Sequence, residues 1–160
     1  MAGIAIRSLA LNCNYRLYSV YWIKLVSVMK VLIVEDEFIS RTLLSEFLSP
    51  YAICDTAADG KEALEILTKA HENNDRYDLV CLDIMMPELD GHAVLSHLRR
   101  MEHEGNVAGD KITTVFMTTA LDDARNIMNA FNLGRCQAYL IKPILRDRLE
   151  AHVREFLLPH

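Results

Sequence analysis

Cysteine is scarce and scattered in this chain. Cys13, Cys54, Cys81 and Cys136 form no CxxC pair and have no histidine at zinc spacing, which excludes a zinc finger and gives no framework for a disulfide-built domain. Reduced thiols in a cytoplasmic protein are the expectation. Six glycines and four prolines in 160 residues exclude a collagenous or low-complexity chain. A long hydrophobic run is also missing: no apolar stretch approaches the roughly 18 residues that a membrane span needs. Positive charge is not in excess either. The net charge of -5 gives no general attraction for nucleic acid, so no direct nucleic-acid partner is expected.

What is present is an ordinary globular composition, half apolar and a quarter charged, in one domain's length of chain. The first 28 residues differ from the rest. They hold Arg7, Arg16 and Lys24 but no acid, with Tyr15, Tyr18, Tyr21 and the single tryptophan, Trp22. The chain therefore divides into an N-terminal extension, 1–28, and a domain, 29–160. A secretory signal fits the extension poorly, since no small-residue cleavage motif follows a clean apolar core. An upstream extension of the reading frame and an amphipathic segment for a membrane surface or a partner both stay open.

From Met29 the pattern is regular. "KVLIV" reads as a short buried strand, followed by Leu43, Leu44, Phe47 and Leu48 at helical spacing, with Pro50 closing the helix. "AICDTA" is a second strand, and Asp59-Gly60 opens a helix striped by Ala63, Leu64, Leu67 and Ala70. "DLVCLD" is a third, followed by a helix carrying Val94, Leu95, Leu98 and Met101. "ITTVFMTT" is a fourth, and Asp122-Asp123 opens a helix with Ile127, Met128 and Phe131 inside and Gly134 as its C-terminal cap. "QAYLI" is a fifth, and Leu145, Leu149, Val153 and Phe156 stripe the last helix. Five apolar strands alternating with five helices predict an α/β fold, a doubly wound parallel sheet covered on both faces. The chain ends at His160, directly after the last helix, so a single domain is expected.

In such sheets ligands bind beyond the carboxyl ends of the strands. Those ends carry Glu35 and Asp36, then Asp83, then Thr118 and Thr119, then Lys142-Pro143. Like charges about 4 Å apart repel by roughly 4 kcal/mol at an effective dielectric near 20, so three acids on one rim call for a cation. Oxygen ligands with no cysteine or histidine point to a hard ion such as Mg²⁺. With a hydroxyl from Thr119 and the ammonium of Lys142, the set suits phosphoryl transfer, with an aspartate as nucleophile. Singly, each residue has a duller explanation: a cap, a solvated charge, core filler for Met85 and Met86. Their joint occurrence at the strand ends outweighs those explanations.

"VLIVEDE", "LDIMMPELDG", "MTTA" and "YLIKP", in that order, resemble the receiver domain of two-component response regulators, from about Lys30 to Leu158. The resemblance implies a (βα)5 flavodoxin-like fold with strand order 2-1-3-4-5, an order that the apolar pattern alone leaves open. It implies that Asp83 is the phospho-acceptor and that Glu35, Asp36, Asp83 and the main-chain carbonyl of Met85 hold Mg²⁺, with Mn²⁺ as a substitute. Thr119 and Lys142 would contact phosphoryl oxygens, Thr119 and Tyr139 would form the switch, and Pro143 would be the structural proline often preceded by a cis bond. Departures are a Glu-Asp acidic pair where Asp-Asp is common, the doubled Thr118-Thr119, one extra residue in "GRCQAYL", and an extended loop near Gly105 to Lys111.

The function so implied is a single-domain response regulator, phosphorylated by a sensor histidine kinase or histidine phosphotransfer protein. It would signal through phosphorylation-dependent binding to a protein target the sequence does not name, as a monomer or a phosphorylation-dependent dimer. It would be a phospho-acceptor with self-phosphorylation and self-dephosphorylation chemistry, not a dedicated enzyme. Met85 and Leu121, two residues after Asp83 and Thr119, are apolar and cannot orient water, so slow self-dephosphorylation is expected. A dehalogenase-type phosphatase would need an acid where Met85 stands, and a flavodoxin-like electron carrier a hydroxyl- and glycine-rich loop where "EDEFIS" stands. The remaining alternative is an unphosphorylated receiver-fold docking module.

Overall fold

The structure, a computed structural model, describes residues 29–120 and 136–158. The extension 1–28, Leu121 and the predicted helix with Asp122, Asp123, Ile127, Met128, Phe131 and Gly134 lie outside the described residues.

Strand β1, Met29–Val34, is apolar on both faces except Lys30, and that composition places it inside a sheet. It pairs in parallel with β2, Ala52–Ala57, on one side and β3, Leu79–Asp83, on the other. β4, Thr114–Thr119, and β5, Ala138–Ile141, continue the sheet beyond β3, giving the parallel order β2-β1-β3-β4-β5. The α/β class, the five strands and the 2-1-3-4-5 order all hold.

Four α-helices are described: α1, Phe38–Leu48; α2, Gly60–Glu72; α3, Gly91–Glu104; and α4, Arg146–Leu157. Leu32, Val34, Val80, Leu82, Val115 and Met117 pack under α2 and α3. Val31, Ile33, Leu79, Cys81, Phe116 and Leu140 pack under α1 and α4. Adjacent strand residues point to opposite faces, so one continuous apolar run serves both layers. The extended loop before β4 contains a 3-10 turn, Gly109–Lys111.

The helix starts are written locally. The side chains of Asp59 and Asp90 accept from the N–H groups of Glu62 and Ala93, each at 2.8 Å, and Glu37 accepts from Ile39 and Ser40. Two expected stripes are narrower than predicted. In α1, Leu44 and Leu48 are buried but Leu43 is 43 % exposed, since only one narrow face meets the sheet. Leu145 is the N-cap residue of α4 and is exposed, and Phe156 near its end is partly exposed against Phe116. Among the described residues no helix is long and apolar enough to cross a membrane.

β2 and β3 flank β1, so the chain crosses the sheet in opposite senses after β1 and after β2. A crevice forms at that reversal, at the carboxyl ends of β1 and β3.

Candidate functional site

β1 ends at Val34 and the next two residues are acids. Glu35 is buried and Asp36 exposed, as expected where a pleated strand runs out and side chains diverge. β3 ends in Asp83, buried and brought level with Glu35 by the pairing of Val34 with Leu82. One carboxylate oxygen from each of Glu35, Asp36 and Asp83 lies within 4.8 Å of the others. The three acids therefore meet, although Asp83 is 48 and 47 residues away from them in sequence.

The counter-charge comes from the far edge of the sheet. Lys142 Nζ donates to Glu35 Oε1 and to Asp83 Oδ2, both at 2.7 Å. Its own N–H donates to the Thr119 carbonyl at 2.8 Å, and the Lys142–Pro143 bond is cis. Burial of Glu35, against the pull of Lys142 and with the charge of Asp83, pushes its carboxyl up to about 7. Burial works against the charged form of Lys142, but its hydrogen bonds to Asp83 and Glu35 outweigh that and raise its pKa.

One ammonium facing three carboxylates leaves the cluster short of positive charge. Glu35 Oε2 is also buried with no hydrogen-bond partner among the described residues, a cost of about 1–3 kcal/mol if nothing satisfies it. An oxygen-only cluster with an unsatisfied carboxylate oxygen fits a hard divalent cation.

The loop after β3 is held against its own strand. Asp83 Oδ1 accepts from the Met85 N–H at 3.2 Å, so both oxygens of Asp83 are engaged. Met85 is 63 % exposed whereas Met86 is buried, so the first is not core filler and the second is. Gly91 donates its N–H to the Ile84 carbonyl at 3.1 Å, and a Cβ there would stand 2.2 Å from the Asp83 carbonyl oxygen. Gly60 opens α2 equally close to the loop, with Leu89 O 2.5 Å from where its Cβ would be. Both glycines admit backbone against backbone, which sets the loop on the ends of α2 and α3. The close approach has no local signal in the sequence.

The remaining predicted residues are near the acids in unequal degree. Thr118 stands in register with Asp83 and its buried hydroxyl has no partner among the described residues. Thr119 is also buried and its hydroxyl donates to the Ala120 carbonyl at 3.1 Å. Tyr139 is not beside the acids: it pairs with Met117 and packs half-buried against the α2 and α3 layer. Burial and a hydrogen bond with Cys136 push its phenol pKa up. Sequence reasoning passed over Arg41, whose guanidinium reaches back from α1 to the carbonyls of Glu35 and Asp36.

Residues 31–154 match the family model of the response regulator receiver domain. The chain belongs to that family. The receiver is 38 % identical over 130 residues to a probable transcriptional regulator ycf27 from Cyanophora paradoxa, covering 80 % of this chain and 48 % of the relative. It thus spans about half the length of the curated relatives it matches. Among solved structures it is similar to the receiver domain of the Francisella response regulator 1452, at 31 % identity and a TM-score of 0.61, covering 80 % of this chain and 95 % of that one. It is also similar to a chain in the co-crystal structure of the Saccharomyces cerevisiae histidine phosphotransfer signaling protein Ypd1 and the receiver domain of its downstream response regulator Ssk1. That match has 25 % identity and a TM-score of 0.67, covering 83 % of this chain and 91 % of the other.

Proposed function

We propose that this receiver accepts a phosphoryl group on Asp83 from a phosphohistidine of a sensor histidine kinase or histidine phosphotransfer protein, with Mg²⁺, in the cytoplasm. The observation that carries the proposal is the meeting of Glu35, Asp36, Asp83 and Lys142 at one rim of the sheet. Family membership and the Ypd1 and Ssk1 relative support a histidine-borne donor.

Glu35, Asp36, Asp83 and the main-chain carbonyl of Met85 would hold the metal. When bound, Mg²⁺ supplies neutralising charge for the phosphoryl oxygens. Asp83 then acts as the nucleophile. One of its carboxylate oxygens forms the bond to phosphorus as the bond from phosphorus to the donor's imidazole nitrogen breaks, and the imidazole leaves with the electron pair. Lys142 now holds Asp83 Oδ2. An arriving phosphoryl group offers its ammonium a richer acceptor, which releases that oxygen for attack and neutralises charge as it develops.

Thr119 spends its hydroxyl on an adjacent carbonyl at 3.1 Å, a bond readily exchanged for a phosphoryl oxygen. That movement at the end of β4, with Tyr139 on the neighbouring strand, would shift the population between two surface states read by a protein target. The receiver is a phospho-acceptor in this scheme and not a dedicated enzyme.

Incubation with Mg²⁺ and acetyl phosphate, followed by intact mass measurement, tests the proposal. One phosphoryl adduct is expected on the wild type and none on Asp83→Asn. No adduct on the wild type, or an equal adduct on the variant, would end it.

A further inference from the structure

We propose that Arg41 is a positioning residue, which fixes the main chain carrying the acidic pair so that the cluster can take up its cation. This rests on reading Glu35, Asp36 and Asp83 as the metal-holding group.

The turn from β1 into α1 has only residues 35–37 in which to end a strand and start a helix. Glu35 N–H makes the last ladder bond, to the Ala57 carbonyl at 3.1 Å. Its carbonyl and that of Asp36 lie beyond the sheet. Arg41 Nη1 takes both, at 2.6 Å from Glu35 O and 3.3 Å from Asp36 O.

Arg41 is itself held from two sides. Its N–H donates to the Glu37 carbonyl at 3.0 Å within the first turn of α1, and its guanidinium lies 5.7 Å from the centre of the Phe38 ring. The partners of the guanidinium are main-chain oxygens, so the carboxylates of Glu35 and Asp36 are left to Lys142 and to a cation. Arginine suits this place because Nη1 carries two N–H bonds fixed in the plane of a permanently charged guanidinium, one for each carbonyl, whereas a lysine ammonium is a freely rotating point donor. Groups that orient metal ligands typically change affinity by about 10–100-fold when removed.

The experiment is calorimetric titration of the full chain with MgCl₂, on the wild type, Arg41→Ala and Arg41→Lys, with amide hydrogen exchange of residues 35–37 in EDTA as a metal-free arm. Mg²⁺ affinity is expected to fall by about tenfold in Arg41→Ala, and by an intermediate factor in Arg41→Lys. Exchange at residues 35–37 is expected to rise in both variants while the β3 and β4 amides stay protected. Affinity within twofold of wild type in Arg41→Ala overturns the proposal, as does full wild-type affinity in Arg41→Lys, which decides the matter if Arg41→Ala does not fold. Absence of Mg²⁺ binding by the wild type counts against the metal reading instead, and the exchange arm then judges Arg41: unchanged exchange in Arg41→Lys overturns its role.

Discussion

Lys142 Nζ lies 2.7 Å from Asp83 Oδ2, joining β5 to the end of β3 across 59 residues of sequence. The ammonium also holds Glu35, so among the described residues it is the one cation bridging the two buried acids of the cluster. Lys142→Met removes a charge-assisted hydrogen bond to the phosphoryl group. Phosphorylation by acetyl phosphate is expected to slow by about 30-fold, the equivalent of about 2 kcal/mol. An unchanged rate in stopped-flow or quenched mass measurements would show that Lys142 does not neutralise the transferring group.

Glu35 makes metal-free stability depend on pH. Its carboxyl is pushed up to about 7 from an ordinary 4.5, chiefly by burial. The folded state therefore holds this proton more tightly than the unfolded chain. The stability so gained is full below about pH 4.5 and is lost as pH rises through about 7, a change on the order of 3 kcal/mol. Urea unfolding in EDTA at a series of pH values should show this loss, and Glu35→Gln should flatten it. Mg²⁺ affinity should move oppositely, rising with pH as the proton leaves.

Met85 is exposed beside Asp83, and its side chain offers no hydrogen-bonding group to orient a hydrolytic water. Self-dephosphorylation is expected to be slow, and Met85→Asn to accelerate it by about fivefold, the worth of one hydrogen bond of about 1 kcal/mol. Decay of the phosphorylated form after removal of the donor measures this directly. A marked slowing would contradict the assignment.

Gly91 has no room for a side chain, with the Asp83 carbonyl oxygen 2.2 Å from the place of a Cβ. Gly91→Ala must push α3 or the acceptor loop away, at an expected cost of about 2 kcal/mol or more in denaturant unfolding. The rate of phosphorylation should fall with it, because Asp83 moves. At Gly109, by contrast, nothing lies within 4 Å of the position, so strain there comes only from its φ of +66°.

The expectations that held were those written over short stretches. The apolar runs of "KVLIV" and "DLVCLD", the helix start at Asp59-Gly60, and acids directly after apolar strands are local facts, and they were enough to place Glu35, Asp36, Asp83 and Lys142 at one end of a parallel sheet. Leu43 and Leu145 read as core and are exposed, because helical spacing marks a stripe without saying how much of it a neighbour covers. Thr118 and Thr119 are alike in sequence, and only the strand register separates the one opposite Asp83 from the one beyond it.

By itself, then, the sequence determined which residues could reach the rim, since strand length and side-chain period depend on neighbours along the chain. Which of them touch was decided by tertiary structure. The Lys142 bridge to Glu35 and Asp83, the reach of Arg41 to two carbonyls and the contact of Gly91 with Asp83 all depend on sheet order and helix seating. Those are set by burial over the whole core, to which no short stretch of sequence has access.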